Sequence, residues 1–242
     1  MSLIELFQSY PYLFTNLVSF LIFVVGGRWI LQKHHWRLMV ICGALNAPAF
    51  PFLIFLENEY WRPVRLGGWI LGVEDILCSF MVAAMVWFVI GLLFGRRIAL
   101  SDRLRIVWPR YRIIAGVSVL IFLLCYMVGL TGMTSLVLSC MIVTGLLLCR
   151  NRELWPIALV GLVGFTAVYL AIVRIYFFIW PDFVLQWNAR GFWGHLIGGV
   201  PLGEIAWALI FGAYWPLFMM HVLDLRGSDL SGRPKPQPAQ AG

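Results

Sequence analysis

The sequence predicts an all-α polytopic membrane protein with seven transmembrane helices, arranged as two parallel three-helix repeats joined by a linker helix. Of its 242 residues, 62% are apolar and 12% are charged, whereas soluble domains average about 45–50% apolar and about 25% charged. The apolar residues gather in seven runs, each close to the roughly 20 residues that a helix needs to cross a bilayer. Two of these runs also begin with similar sequences.

The seven predicted spans cover residues 11–31, 37–56, 68–94, 112–130, 132–149, 156–180 and 197–221. They divide the chain into a first three-helix repeat (1–95), a basic loop with a linker helix (96–131), a second three-helix repeat (132–225) and a tail (226–242). The tail contains Ser, Gly, Gln and three prolines. Such a composition buries too little apolar surface to fold, so we expect the tail to be flexible.

The distribution of Lys and Arg predicts the orientation of the chain. Fourteen of the eighteen basic residues lie in the connections on one side, three lie on the other side, and Arg174 lies within a span. Basic loops remain in the cytoplasm. We therefore expect the N-terminus outside, the C-terminus in the cytoplasm and, in a bacterium, insertion in the plasma membrane. This distribution also accounts for the net charge of +7 without nucleic acid.

The repeat is indicated by residues 67–77 (GGWILGVEDIL) and 198–206 (GGVPLGEIA). Each segment begins with two glycines, carries a carboxylate near the start of a span, and follows a tryptophan of the preceding loop, Trp61 or Trp187. Two copies of a three-helix unit in the same orientation require one additional crossing between them, which the fourth span supplies.

Four ionisable side chains fall within predicted spans: Glu74, Asp75, Arg174 and Glu204. Each costs about 2–3 kcal/mol at mid-bilayer, so we expect them to face the interior. The predicted span limits place both Glu74 and Glu204 roughly 10 Å below the outer helix ends, and Arg174 about 9 Å below. We expect one shared apolar cavity, with Arg174 neutralising one carboxylate while another stays protonated. The alternative is a structural arginine–carboxylate clamp.

Other polar and aromatic side chains are candidates for supporting roles. His195 is expected near the outer mouth, either as a proton relay or as an interfacial residue. Asn46 precedes Pro48, which predicts a kink and an interhelical hydrogen bond. The five cysteines and four histidines show no metal-ligand spacing, so we predict no metal site. No dinucleotide or P-loop motif occurs, and the last span lacks the lysine that a retinal protein needs.

The segments around the carboxylates resemble the FAD-independent lycopene cyclase domain family, the small integral-membrane type of carotenoid cyclase. That family has a Pro-Leu-Glu-Glu motif after a glycine-rich segment and a Trp-Asn-Pro-like loop. Residues 187–190 (WNAR) and 199–204 (GVPLGE) are similar to it, and residues 72–77 (GVEDIL) resemble the other copy. The sequence departs from the motif at two glycines, because Gly72 replaces its proline and Gly203 replaces its first acidic residue.

The resemblance implies a linear carotenoid whose end group cyclises by acid–base chemistry without net redox change. Glu74 and Glu204 would then be the working carboxyls, Asp75 would substitute for either, and Arg174 would tune them. Pro201, Trp61 and Trp187 would belong to the same site. No cofactor is implied, the substrate is an apolar isoprenoid within the bilayer, and the family's heterodimers leave a homo- or hetero-oligomer open. The alternatives are a non-catalytic carotenoid- or lipid-binding subunit and a small transporter.

Overall fold

A computed structural model of the chain describes residues 2–57, 59–95, 105–187 and 191–224. Within this part of the chain, seven helices are long and apolar enough to cross a membrane. After a short helix α1 (Leu3–Ser9), these are α2 (Pro11–Ile30), α3 (Lys33–Glu57), α4 (Val73–Phe94), α5 (Trp108–Met127), α6 (Gly132–Arg150), α7 (Arg152–Ile179) and α8 (Leu202–Val222). The prediction of seven apolar helices is therefore confirmed. The predicted flexible tail lies outside the described residues.

The described connections hold short 3₁₀ segments and little β structure. The 3₁₀ segments at the end where α4 and α8 begin are Leu66–Gly68, Pro181–Gln186 and Phe192–Gly194. Two strands of two residues each, β1 (Leu196–Ile197) and β2 (Val200–Pro201), pair antiparallel just before α8. The turn between them is made by Gly198 and Gly199, whose φ angles are 59° and 80°. Glycine adopts these left-handed angles without the steric cost of a Cβ.

Helices α4 and α8 begin later than the sequence predicted. The predicted spans started at residues 68 and 197, but the helices begin at Val73 and Leu202 because glycine turns precede both. Glu74, Asp75 and Glu204 consequently lie in the first helical turn, and their predicted depth of roughly 10 Å below the helix end was wrong. The N-terminus of a helix favours a carboxylate, because backbone N–H groups there lack intrahelical acceptors.

Helix α3 loses α-helical geometry where a kink was predicted. The α-helical part ends at Asn46, and a 3₁₀ segment follows from Ala47 to Leu53. Pro48 and Pro51 lie in this segment. Neither residue has a backbone N–H to donate, so the regular hydrogen-bond ladder is interrupted. The Asn46 side chain donates instead to the carbonyl of Ser79 in α4, at 2.7 Å.

Helices α7 and α8 approach each other at a pair of glycines. A Cβ on Gly161 would collide with the backbone carbonyl of Gly212, and the reverse collision would also occur. Gly161 begins a π-helical stretch, Gly161–Phe165, within α7. Small residues allow close backbone approach in membrane helix pairs, where lipid offers no hydrophobic driving force for association.

The end of the bundle at which α2, α4, α6 and α8 begin is called the upper end below. Its loops pair with one another: Trp61 and Trp187 form an antiparallel bridge, and Arg62 N donates to Gln186 O at 2.8 Å. The two indole rings stack with centroids 5.7 Å apart. A buried aromatic cluster that includes Tyr12, Tyr60, Trp61, Trp187 and Phe183 forms around this pair. The carboxylates of α4 and α8 lie at this end.

Candidate functional site

A cavity of about 300 Å³ runs through the centre of the bundle, and all seven spanning helices contribute to its wall. The wall is mainly apolar and aromatic, with Met81 and Met85 from α4 and Trp207, Phe211 and Trp215 from α8. Its size lies at the lower end of the roughly 300–1,000 Å³ typical of ligand sites. The polar groups that face it are therefore the candidates for chemistry.

Glu204 is the carboxyl group that lines this cavity among the described residues. It is 8% exposed. Its Oε1 accepts a hydrogen bond from Trp187 Nε1 at 2.8 Å, and its Oε2 accepts one from the hydroxyl of Tyr169. No ion pair reaches Glu204 within the described part of the chain. Two neutral donors and the helix N-terminus therefore hold this carboxyl at the cavity surface.

Gly203 is explained by the packing next to Glu204. A Cβ at this position would lie 2.6 Å from ring atoms of Tyr60, so no side chain fits without displacing the tyrosine. Burial, and second the charge of Glu204, raise the pKa of the Tyr60 hydroxyl, which therefore remains protonated. This hydroxyl lies close to the Glu204 carboxyl and to Trp187. Glycine at position 203 thus makes room for the Tyr60 ring.

Asp75 is fully buried, and each of its two carboxyl oxygens accepts hydrogen bonds from two donors. Its Oδ2 accepts from Arg65 Nε at 2.7 Å and from Gly72 N at 2.6 Å. Its Oδ1 accepts from Arg65 Nη2 at 3.1 Å and from the Tyr12 hydroxyl at 3.0 Å. Two parallel hydrogen bonds from a guanidinium fix the position of a carboxyl group more strongly than a single neutral donor does. Asp75 reaches the cavity through Tyr12, whose side chain lines it.

Arg65, and not Arg174, supplies the buried guanidinium. Arg65 is 4% exposed and also forms an ion pair with Glu57, with 2.8 Å between Nη1 and Oε2. Burial lowers the pKa of Arg65, but the hydrogen bonds and charge of Asp75, followed by those of Glu57, outweigh this effect and raise it overall. Arg174 is exposed and lies beside Gly199 of the β1–β2 turn. The expectation that Arg174 neutralises a carboxylate was therefore wrong.

Glu74 faces away from the cavity. Its Oε1 accepts from Leu66 N at 2.6 Å, while its buried Oε2 has no hydrogen-bond partner among the described residues. Glu74 does not line the cavity. The structure thus separates Glu74 from Glu204, the other carboxyl that the sequence predicted to do chemistry.

The remaining predicted residues differ in their placement. Trp61, Trp187 and Asn46 line the cavity. Pro201 is buried at the end of β2, directly before α8. His195 is exposed, and its backbone carbonyl accepts from Leu202 N at 2.8 Å. His195 therefore contributes through its main chain to the turn that presents Glu204.

Asp75 and Glu204 both lie close to Cys78. Cys78 follows Asp75 by about one helical turn, lines the cavity, and is within electrostatic range of Asp75, Glu204 and Arg65. Ring contacts also connect the two carboxyl groups, since Tyr12 contacts Trp61 at 4.8 Å and Trp61 stacks on Trp187, which hydrogen-bonds Glu204. Asp75 of α4 and Glu204 of α8 therefore belong to one site, from which Glu74 is separate.

The sequence-based reasoning missed Tyr12, Tyr60, Arg65 and Tyr169. The tyrosines were indistinguishable from interfacial aromatic residues, and Arg65 was counted as a loop charge. Its position ten residues before Asp75, in a glycine-rich loop that folds back over the helix start, was the available signal. Within the described ranges, no group of three His, Cys, Asp or Glu side chains is placed to hold a metal ion.

The arrangement combines a carboxyl group with an aromatic, water-poor cavity. A carboxyl in such surroundings transfers protons to a bound apolar substrate without competition from bulk water. Indole and phenol rings stabilise a cation through their faces. The chain matches no family model, no curated protein and no solved structure.

Proposed function

We propose that the protein is a membrane-embedded enzyme that cyclises the end group of a linear carotenoid by acid–base chemistry without net redox change. The observation that supports this proposal is the placement of Glu204, a buried carboxyl on the wall of an aromatic cavity. The resemblance of residues 187–190 and 199–204 to the lycopene cyclase domain family points to the same chemistry.

In the proposed reaction, protonated Glu204 donates its proton to the terminal double bond of the polyene. The resulting tertiary carbocation lies against the indole faces of Trp61, Trp187 and Trp207, which stabilise it. A second double bond attacks the cation and closes a six-membered ring. Loss of a ring proton to the Glu204 carboxylate forms the new double bond and restores the protonated carboxyl group. The atoms and electrons balance without a cofactor.

Hydrogen bonds to Glu204 assist both its loss and its recovery of a proton in the proposed reaction. Trp187 and Tyr169 donate to the two oxygens and stabilise the carboxylate after it has released its proton. On the opposite wall, Tyr12 is held by Asp75, and Arg65 holds Asp75 in turn. We assign Asp75 and Arg65 to positioning Tyr12 and closing the upper end, because neither lines the cavity.

The proposal includes two finer features of the architecture. Helices α2–α4 and α6–α8 would be two copies of one unit with α5 as the linker, and the upper end would face outward from the plasma membrane. The bridge between Trp61 and Trp187 supports the repeat, because equivalent residues of two copies meet across a pseudo-two-fold axis. The distribution of Lys and Arg supports the orientation.

Expression in a lycopene-accumulating bacterium tests the proposed reaction. The native chain should convert lycopene to carotenoids with cyclic end groups, resolved by chromatography and absorbance. Glu204→Gln should abolish conversion while the protein still inserts and purifies normally. Asp182→Asn, which changes an exposed carboxyl at the same end, should convert like the native chain. Unchanged lycopene with well-inserted native protein would refute cyclisation.

A second candidate is a carotenoid- or lipid-binding subunit without catalysis. The observation that favours it is that Glu204 alone among the described carboxyl groups lines the cavity, while Asp75 is fully engaged by Arg65. Purified native protein that carries unconverted carotenoid, with equal amounts bound to Glu204→Gln, would support binding over catalysis.

A further inference from the structure

We infer that the cavity opens sideways to the bilayer between α3 and α5, and that one half of a long linear isoprenoid chain enters there while the other half stays in the lipid. The inference rests on the proposed function for the identity of the chain, but the opening itself is argued from the geometry of these two helices.

Helix α5 presents one side to the cavity and the other to the outside. Its cavity-lining residues follow helical spacing on a single face and are Tyr111, Ala115, Ser118, Val119 and Phe122. This stripe spans twelve residues, or about 16 Å from first to last Cα. The buried residues of α5 are Ile114 and Phe122, and its other residues are partly or fully exposed. The wall of the cavity is therefore one helix thick on this side.

Specific contacts join α3 to α5 at two levels. Toward the lower end, the Tyr111 hydroxyl donates to the Leu45 carbonyl at 2.8 Å. Toward the upper end, Phe52 packs edge-on against Phe122 with ring centroids 5.3 Å apart. Between these two contacts along their helices lie Ala49 of α3 and Ala115 of α5, both half-buried and both on the cavity wall.

The α3 side of this gap is also irregular. Ala49 lies within the 3₁₀ segment Ala47–Leu53, between Pro48 and Pro51. A 3₁₀ stretch within a longer helix often marks a mobile point. Two small side chains on the cavity wall, one of them in such a segment, make this stretch between α3 and α5 the place where we infer the lateral opening.

The dimensions of the cavity favour partial insertion of the chain. Glu204 and Phe218 both line it, and fourteen residues of α8 separate them, which gives a length of about 21 Å. A volume of about 300 Å³ over that length describes a narrow channel that holds one extended chain. A carotenoid is longer than this channel. The end group would reach Glu204 while the remainder passes out between Ala49 and Ala115.

The occupant is an apolar chain without a polar head group. A phospholipid that used the same opening would leave its head group at the depth of Ala49 and Ala115, within the hydrocarbon region, which is costly. A linear isoprenoid hydrocarbon has no such group and moves laterally from the bilayer core. Each end of a symmetrical polyene would then be processed in a separate binding event.

A photoreactive linear isoprenoid tests the opening in purified protein reconstituted in nanodiscs. The probe is a geranylgeranyl hydrocarbon that carries a diazirine at one end, and labelled residues are mapped by mass spectrometry. Native protein should be labelled at Trp207 and Met85 inside the cavity, and excess squalene should compete. Ala49→Trp combined with Ala115→Trp should slow internal labelling at least tenfold and still reach the native plateau.

Leu120→Trp provides the matched control, because Leu120 is 56% exposed on the outer face of α5 and does not line the cavity. In this variant the probe should label the cavity residues at the native rate. The milder pair Ala49→Val and Ala115→Val should give an intermediate rate, which guards against misfolding of the tryptophan variant. An unchanged labelling rate in both double variants would overturn the lateral opening. A lower final extent of labelling that is reached at the native rate would overturn it as well.

The outcome is separable from that of the proposed reaction. Glu204→Gln should be labelled like the native protein, since proton transfer plays no part in loading. Labelling through the opening together with unconverted lycopene in cells would keep the opening and reject cyclisation. Competition by a phospholipid but not by squalene would overturn the assignment of the occupant.

Discussion

Glu204 and Asp75 occupy the same position in their helices, in the first turn after a glycine-containing loop, yet their partners give them different properties. Glu204 is held by two neutral donors and faces the cavity. Asp75 is held by a guanidinium and by neutral donors and is fully buried. Glu204 lines the cavity and Asp75 does not. In the reaction proposed above, Glu204 is therefore the reacting group and Asp75 has a structural role.

Arg65→Gln should destabilise the protein more than any change at Glu204. The substitution removes the cation and leaves Asp75 and Glu57 as buried carboxylates without a charge partner. Breaking a buried ion pair in this way costs about 3–5 kcal/mol. We expect a clear fall in the apparent melting temperature, measured by fluorescence-detected size-exclusion chromatography after heating in detergent.

Two further variants make this expectation specific. Glu204→Gln should melt close to the native protein, because no described cation depends on Glu204. Combining Arg65→Gln with Asp75→Asn should recover part of the lost stability, since both partners are then neutral. Native-like melting of Arg65→Gln alone would show that the ion pairs of Arg65 do not hold the upper end together.

The buried arginine is Arg65 and not Arg174, and this difference shows what hydropathy can predict about single residues. A charge inside an apolar run, such as Arg174, looks more significant than a charge in a loop. The loop that carries Arg65 nevertheless folds over the start of α4, where Gly67 and Gly68 adopt positive φ angles. This turn geometry determines which loop side chain is buried. Hydrophobicity averaged over a sequence window contains no information about turn geometry.

At the scale of elements, glycines determine where helices begin and how closely they pack. The sequence predicted all seven helices because long apolar runs determine which segments cross. The starts of α4 and α8 were misplaced by five residues at each helix because the glycine turns before them are themselves apolar. The close contact of α7 with α8 at Gly161 and Gly212 was not predicted, since glycines in membrane helices are common and their partners are not visible in one sequence.

Gly161→Ala should weaken the packing of α7 against α8. The new methyl group would meet the backbone carbonyl of Gly212, which cannot rotate away as a side chain could. Overpacking of this kind costs typically about 1–3 kcal/mol, and the helices must separate to relieve it. We expect a lower apparent melting temperature and, because Trp207 and Phe211 lie on α8 at the cavity, a reduced conversion of lycopene.

Gly145→Ala is the matched control for this change. Gly145 lies in a membrane-spanning helix, and nothing lies within 4 Å of where its Cβ would be. Alanine is a better helix former than glycine by up to about 1 kcal/mol, so this variant should be as stable as the native protein or slightly more stable. Equal melting of the two variants would show that the Gly161–Gly212 contact contributes nothing to packing.

At the scale of the whole molecule, all seven spanning helices line one central cavity. The sequence led us to expect a shared apolar cavity around the carboxylates, but it did not show which helix faces would line it. Hydrophobic periodicity and composition locate helices in the sequence. The shape of a cavity depends on which helix faces meet and on the volume that their side chains leave unfilled. The sequence did bring the acidic ends of α4 and α8 into one expected site, because two similar helix starts must lie on the same side of the membrane. The aromatic wall around them followed only from packing.

The orientation of the molecule is testable with single cysteines placed at opposite ends. We expect Trp69→Cys, 72% exposed at the upper end, to react with a membrane-impermeant maleimide added to intact cells. Arg152→Cys, at the other end, should react only after the cells are opened. The reason is electrostatic: fourteen of the eighteen Lys and Arg fall in or next to the connections that the sequence predicts on one side of the membrane, and such connections are retained in the cytoplasm.

Both variants are made in a chain whose five native cysteines are replaced by serine or alanine, and labelling is quantified by the mobility shift of a pegylated reagent. Reaction of the cysteine at position 152 in intact cells, with none at position 69, would invert the topology. The end of the cavity that carries Glu204 would then lie on the cytoplasmic side. Orientation therefore determines on which side of the membrane the proposed acid lies as well as where the termini lie.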